Sequence, residues 1–155
     1  EDGNLHGWKT LAAQQWLAQS VFAIKQDVKL LNHNIVAVTV EQYLPELLQK
    51  YQLSADDIDY FLPHYSSEFF RQPLYDALVN IGCEIPFERW ASNLTEKGNT
   101  GSASIYIMLD ELFQSGRLKV GQRILCYVPE SGRFSSSFML LHVCDSNGVQ
   151  PRTMR

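Results

Sequence analysis

Ile58-Asp59-Tyr60-Phe61-Leu62-Pro63-His64 is the stretch on which the reading of the fold turns. Ile58 to Leu62 reads as a short buried strand, and Pro63-His64 ends it. Just upstream, Ser54-Ala55-Asp56-Asp57 reads as a single capped turn. Before that turn a helix is expected over roughly Asn34 to Tyr51. Ile35, Val38, Leu44, Leu47, Leu48 and Tyr51 fall near helical spacing there. Asn32 or Asn34 can cap it, and Pro45 predicts a kink or a break inside it. Further upstream, Ser20 to Lys25 reads as a short strand, and the opening to Gln19 carries only weak periodicity.

Downstream of His64, Ser66 or Ser67 can cap a second helix running to about Ile81. Phe69, Phe70, Leu74, Ala77, Leu78 and Ile81 form its apolar face, and Gly82 is its stop. Phe87 to Ser92 is a strand candidate, and Thr95 to Gly101 a polar, glycine-bearing loop. A third helix is expected over Ser102 to about Ser115, with Ile105, Met108, Leu109, Leu112 and Phe113 on one face. Arg123 to Val128 is a strand, Pro129 to Gly132 a turn, and Phe134 to Cys144 a second strand. That short connection predicts an antiparallel pair. Strand and helix therefore alternate until a closing hairpin. The fold class this implies is α/β: a mostly parallel sheet, helices packed on it, and an antiparallel hairpin at the end.

The chain has 155 residues, which fits one domain with a polar tail from about residue 145. Its net charge is −4, and its basic residues are scattered, with one local concentration at Arg117, Lys119 and Arg123. Nucleic acid is not the expected partner. No apolar run approaches the roughly 20 residues that span a membrane, and no signal peptide is visible. Cys83, Cys126 and Cys144 are odd in number and lack CxxC spacing, which argues against a disulfide framework and a zinc site. All three are expected to be buried, reduced thiols in a cytoplasmic protein, and His6, His33 and His142 to serve packing or the surface. The chain opens at Glu1, so preceding sequence is expected to be missing.

Functional groups of α/β sheets gather at the carboxyl ends of strands. His64 follows one strand, Asn99 lies in the loop after the Trp90 strand candidate, and Gly132 lies in the hairpin turn. A neutral imidazole and a side-chain amide each donate an N–H without carrying charge. Aimed at one oxygen, they make an oxyanion hole.

Leu62-Pro63-His64, preceded by Ala55-Asp56-Asp57-Ile58-Asp59, resembles the histidine segment of the ketoacyl-acyl-carrier-protein synthase III family. Gly98-Asn99-Thr100-Gly101-Ser102-Ala103-Ser104 resembles that family's glycine-asparagine-threonine motif. Leu109-Asp110-Glu111 and the run from Gly116 through Gln122 into Ile124 to Val128 continue the likeness, which covers about Leu30 to Val143. The resemblance implies one half of the thiolase fold, the C-terminal one, and a decarboxylative Claisen condensation. It implies that His64 and Asn99 bind the malonyl thioester oxygen, and that the backbone N–H at Gly132 serves a second oxyanion hole. No cofactor and no metal are implied. The implied partners are an N-terminal half carrying the nucleophilic cysteine, a carrier-protein or coenzyme A thioester, and a second copy in a homodimer. The pathway, fatty acid, polyketide or another secondary metabolite, is left open.

The chain departs from the family pattern where Tyr65, Ser66 and Ser67 follow the histidine, and where Pro129-Glu130-Ser131-Gly132-Arg133-Phe134 replaces a glycine-rich loop. None of the three cysteines sits at the nucleophile position, so the chain alone is expected to be inactive. It is also expected to expose the apolar surface that packs on the other half. Arg71, Lys97, Arg117 and Lys119 can meet an acidic carrier, although a solvated face is the simpler reading of each. Two alternatives stand beside this: a non-catalytic partner of a separate condensing subunit, and an unrelated α/β binding domain.

Overall fold

The computed structural model describes residues 12–18, 20 and 27–145, so all of the expected strand over Ser20 to Lys25 except Ser20 lies outside the described residues. Helix α1 is Ala13–Ala18. Helix α2, Val28–Val36, runs into a π-helical turn, Ala37–Gln42, and then into α3, Leu44–Tyr51. The helix thus starts at Val28, well before the expected Asn34. Its cap is neither Asn32 nor Asn34 but Asp27, whose carboxylate accepts from Leu30 N. The expected break is present. Pro45 sits in the first turn of α3, where its missing N–H costs nothing.

Strand β1, Tyr60–Pro63, follows a one-turn helix held by a Ser54–Asp57 capping box. Ser67 then caps a 3₁₀ turn that leads into α4, Arg71–Asn80. Phe87 to Ser92 is not a strand. Pro86 opens a 3₁₀ turn over Phe87–Arg89, and the Arg89 guanidinium donates to Ala55 O and Ile58 O at 3.1 and 3.2 Å. Extended pairing is reduced to one parallel bridge between Trp90 and Phe61. A single helical turn, α5 (Leu94–Lys97), precedes the glycine-bearing loop. Helix α6 is Ser104–Gln114, and β2 (Arg123–Glu130) and β3 (Ser135–His142) form the hairpin.

Among the described residues the sheet has three strands in the order β1-β2-β3. β1 pairs with β2 in parallel, and β2 with β3 antiparallel. The period-2 alternation of strands sends side chains to opposite faces. Phe61, Leu125 and Tyr127 pack with Ile35, Val40, Leu44, Leu74 and Leu78 from α2 to α4. Leu62, Ile124 and Cys126 pack with Ile105, Met108 and Leu112 of α6. The sheet is therefore sandwiched, and β2 is buried on both faces over Arg123 to Tyr127. Each fully buried side chain of this kind contributes about 1.5–3 kcal/mol. Two expected core residues face outward instead. Phe69 is 59% exposed and Phe113 is 71% exposed. Phe69 precedes the start of α4, and Phe113 lies one residue off the buried stripe of α6.

Candidate functional site

Parallel β1 and β2 both deliver their carboxyl ends to the same edge of the sheet. His64 leaves β1 there, and its backbone N–H donates to Tyr127 O at 2.8 Å, so its position is set by the ladder itself. Its imidazole is half-buried, and that burial lowers its pKa below the ordinary 6.5. The ring is therefore neutral near pH 7 and carries one N–H donor.

Asn99 is held by the backbone around it. Gly98 lies at φ 73°, ψ −175°, a region open in effect only to glycine. Gly101 lies at φ 60°, and its N–H donates to Asn99 Oδ1 at 2.9 Å. The amide oxygen is thus occupied within the loop, and the amide nitrogen, bonded to no described residue, is left to donate outward. Thr100 and Ser104 share a hydroxyl hydrogen bond of 2.8 Å that fixes the loop onto the start of α6.

His64 and Asn99, 35 residues apart in sequence, line one cleft of about 300 Å³. Its apolar wall is Leu31, Ile35, Val36, Phe70, Leu74 and Tyr127; Tyr65, Ser66, Gly101, Pro129 and Ser131 complete the lining. Two uncharged N–H donors beside an apolar wall suit a ligand with a carbonyl-type oxygen and an apolar arm.

Gly132 is placed differently. It lies in the hairpin turn but does not line the cleft, where its neighbours Pro129 and Ser131 do. Its N–H donates to Glu130 Oε1 at 2.6 Å, Arg133 N donates to Glu130 Oε2 at 3.0 Å, and the Ser135 hydroxyl reaches the same oxygen at 3.4 Å. These backbone bonds, that from Gly132 first, hold the Glu130 carboxyl below its ordinary range. The N–H that the sequence reading offers to a ligand is thus engaged by the chain's own carboxylate.

No cysteine lines the cleft. Burial pushes the Cys83 thiol up to about 11 and the Cys126 thiol up to about 12, the opposite of an activated thiolate. Cys144, expected in a strand and buried, is exposed beyond the end of β3. All three thiols are free. No cluster of metal-ligating side chains occurs among the described residues. No described helix is long and apolar enough to cross a membrane.

The sequence reading missed Tyr127, Ile35 and Val36 as part of the site. Tyr127 carried a signal: it is the one aromatic residue in the Arg123 to Val128 strand, close to the carboxyl end.

Residues 48–141 match the family model of the 3-oxoacyl-[acyl-carrier-protein] synthase III C-terminal region. The β-ketoacyl-[acyl-carrier-protein] synthase III of Prochlorococcus marinus is 39% identical over 83 residues, which cover 54% of this chain and 23% of that protein. The enzyme of the same name from Synechocystis is 31% identical over 115 residues, 74% of this chain and 33% of that one. The solved β-ketoacyl-[acyl-carrier-protein] synthase III of Thermus thermophilus superposes with a TM-score of 0.61 at 27% identity, covering 77% of this chain and 35% of that one. The chain spans a third or less of the length of these curated relatives.

Proposed function

This chain belongs to the 3-oxoacyl-[acyl-carrier-protein] synthase III C-terminal family, and from that premise we propose that it is the thioester-activating half of a condensing enzyme. The observation that carries the reading is the shared cleft of His64 and Asn99. A malonyl thioester would lie with its thioester oxygen against these two N–H donors. The bond to the carboxylate carbon breaks, carbon dioxide leaves, and the electron pair moves into an enolate whose oxygen the two donors stabilise. The enolate carbon then attacks an acyl thioester held on a cysteine. A carbon–carbon bond forms, and the cysteine thiolate leaves. A single donor of this kind typically contributes about 3 kcal/mol to the transition state.

The acyl-bearing cysteine would come from a companion half, because no thiol of this chain lines the cleft. The outer stripe of α6 supports this. Tyr106 and Phe113 are each 71% exposed at a spacing of two turns, with Leu109 between them. This is the face a companion half would cover. The acyl groups would arrive on an acyl carrier protein or on coenzyme A in the cytoplasm, and the assembled enzyme would be a homodimer. One observation favours a second reading, a non-catalytic partner of a separate condensing subunit: the Gly132 N–H is already taken by Glu130.

The test is a titration of the isotope-labelled 155-residue chain with malonyl- and acetyl-pantetheine. The side-chain resonances of His64 and Asn99 should move together, and no condensation product should form. Failure of both resonances to respond removes the site assignment. Product formed by the chain alone removes the half-enzyme reading and leaves the site.

A further inference from the structure

We propose that Thr39 is a positioning residue for the cleft: with the Tyr127 hydroxyl it holds the π-helical turn open, and so keeps the apolar face of α2 turned toward His64 and Asn99. The consequence for a ligand rests on the thioester reading above; the winding of the turn does not.

A π turn gives up the pairing of each N–H with the carbonyl four residues back for one five residues back, and such turns are rare. Something must weaken the ordinary pairing at Ala37–Gln42. Thr39 supplies it. Its hydroxyl donates to Ile35 O, the carbonyl four residues back that an α-helix reserves for the Thr39 N–H. The same hydroxyl is hydrogen-bonded to that of Tyr127. Thr39 has one hydroxyl hydrogen and gives it to Ile35 O, so in the second bond it accepts and Tyr127 donates. Burial pushes the Tyr127 hydroxyl up to about 12, so it keeps the proton it donates. Thr39 is 0% exposed and Tyr127 is 2% exposed, so no water stands ready to replace either bond.

Tyr127 also fixes the opposite side of the site. Its carbonyl accepts from His64 N at 2.8 Å. One residue of β2 thus ties down the histidine through its backbone and the π turn through its side chain. Upstream of the turn, Leu31, Ile35 and Val36 line the cleft. If the turn took up α-helical winding with the same number of residues, these three would rotate about the axis of α2 by about 100°. His64 and Asn99 would then face another side of the helix.

The experiment uses the isotope-labelled 155-residue chain and reads the couplings across backbone hydrogen bonds, which identify the carbonyl partner of each N–H. In the wild-type chain the N–H groups of the turn should couple to carbonyls five residues back. On titration with acetyl-pantetheine, the Leu31 and Ile35 methyl resonances should move together with those of His64 and Asn99. Combining Thr39→Val with Tyr127→Phe removes both hydroxyls, keeps their shapes and leaves neither one buried without a partner. In that variant the couplings should run to carbonyls four residues back, and the Leu31 and Ile35 methyls should no longer respond. Kd should rise by about tenfold or more, since even one methylene of apolar contact is worth about 10–200-fold. Thr39→Ser keeps the hydroxyl and should keep both the pairing and, within about twofold on the same scale, Kd. Thr39→Val alone carries the test if the double variant does not fold. Pairing five residues back that persists without the Thr39 hydroxyl overturns the inference, and so does altered pairing with an unchanged Kd. If acetyl-pantetheine moves neither His64 nor Asn99 in the wild-type chain, the thioester reading falls, and the couplings still decide whether Thr39 holds the turn.

Discussion

Two loops meet at one cleft, and they solve one problem in opposite ways. Gly98 to Gly101 and Glu130 to Phe134 each bend sharply, and each uses a side-chain oxygen to take up a backbone N–H two residues on. In the first loop that oxygen belongs to an amide. Asn99 satisfies Gly101 and still has an NH₂ to offer to the cleft. In the second loop it belongs to a carboxylate, which has acceptors only. Glu130 takes up the N–H groups of Gly132 and Arg133 and offers no donor in return. The difference teaches that a turn can be equally well satisfied and yet be open or closed to a ligand oxygen. Which it is depends on whether its capping group carries hydrogens.

The largest effect expected from disturbing this contrast is at Asn99. Asn99→Asp keeps the oxygen that accepts from Gly101 and removes the donor. In the chain supplied with the proposed cysteine-bearing half, the condensation rate should fall by about 10²–10³-fold, with little change in the thermal melt of the chain. A rate within a few-fold of wild type would show that the Asn99 amide is only a loop brace.

Gly98→Ala comes next. A side chain at φ 73°, ψ −175° costs about 1–3 kcal/mol. For a chain of this size that is roughly 2–12 °C in Tm. Since no heavy atom lies within 4 Å of the position a Cβ would take, the loss would be backbone strain and not collision. An unchanged melting temperature would contradict the loop conformation.

Glu130→Gln should act less on stability and differently on pH. The folded-state pKa of Glu130 is lowered, so its contribution is present above the ordinary carboxyl value and is lost as pH falls through the folded value. Acid melts of wild type and Glu130→Gln should therefore be separate above the ordinary carboxyl value and converge as pH falls from it through the lowered folded value. Parallel curves across that range would mean that the carboxylate does not hold the turn.

The smallest effect concerns His64. Its folded pKa is lowered by burial, so the unfolded chain takes up the proton first as pH falls below 6.5. Stability should be flat above that pH and decline below it, and His64→Gln should flatten that part of the profile. A decline of the same slope in both chains would assign it to other groups.

The family motifs made much of this site legible in the sequence. Leu62-Pro63-His64 and Gly98-Asn99-Thr100-Gly101 are local signals, and the fold puts both beside one cleft. The reading failed at four places, two of which depend on partners far away in the chain. Phe87 to Ser92 has strand-like composition, but Arg89 spends its guanidinium on Ala55 O and Ile58 O, and only Trp90 reaches Phe61. Phe113 looked apolar enough for the core, yet it lies one residue from Leu112 and so about 100° around the helix. Gly132 read as an offered N–H because the sequence does not say that Glu130, two residues before it, folds back onto it. Tyr127 was absorbed into an apolar strand, and its place in the cleft lining shows only once α2 to α4 pack against that strand.

The π-helical turn over Ala37–Gln42 lets α2 carry one extra residue without turning its face. An α-helix rotates its side chains by about 100° for each residue, but the wider π turn winds less per residue and takes up the surplus within itself. Leu31, Ile35 and Val36 therefore keep facing the cleft. Related chains that lack the extra residue would present the same wall from an ordinary α-helix, while His64 and Asn99 stay where they are.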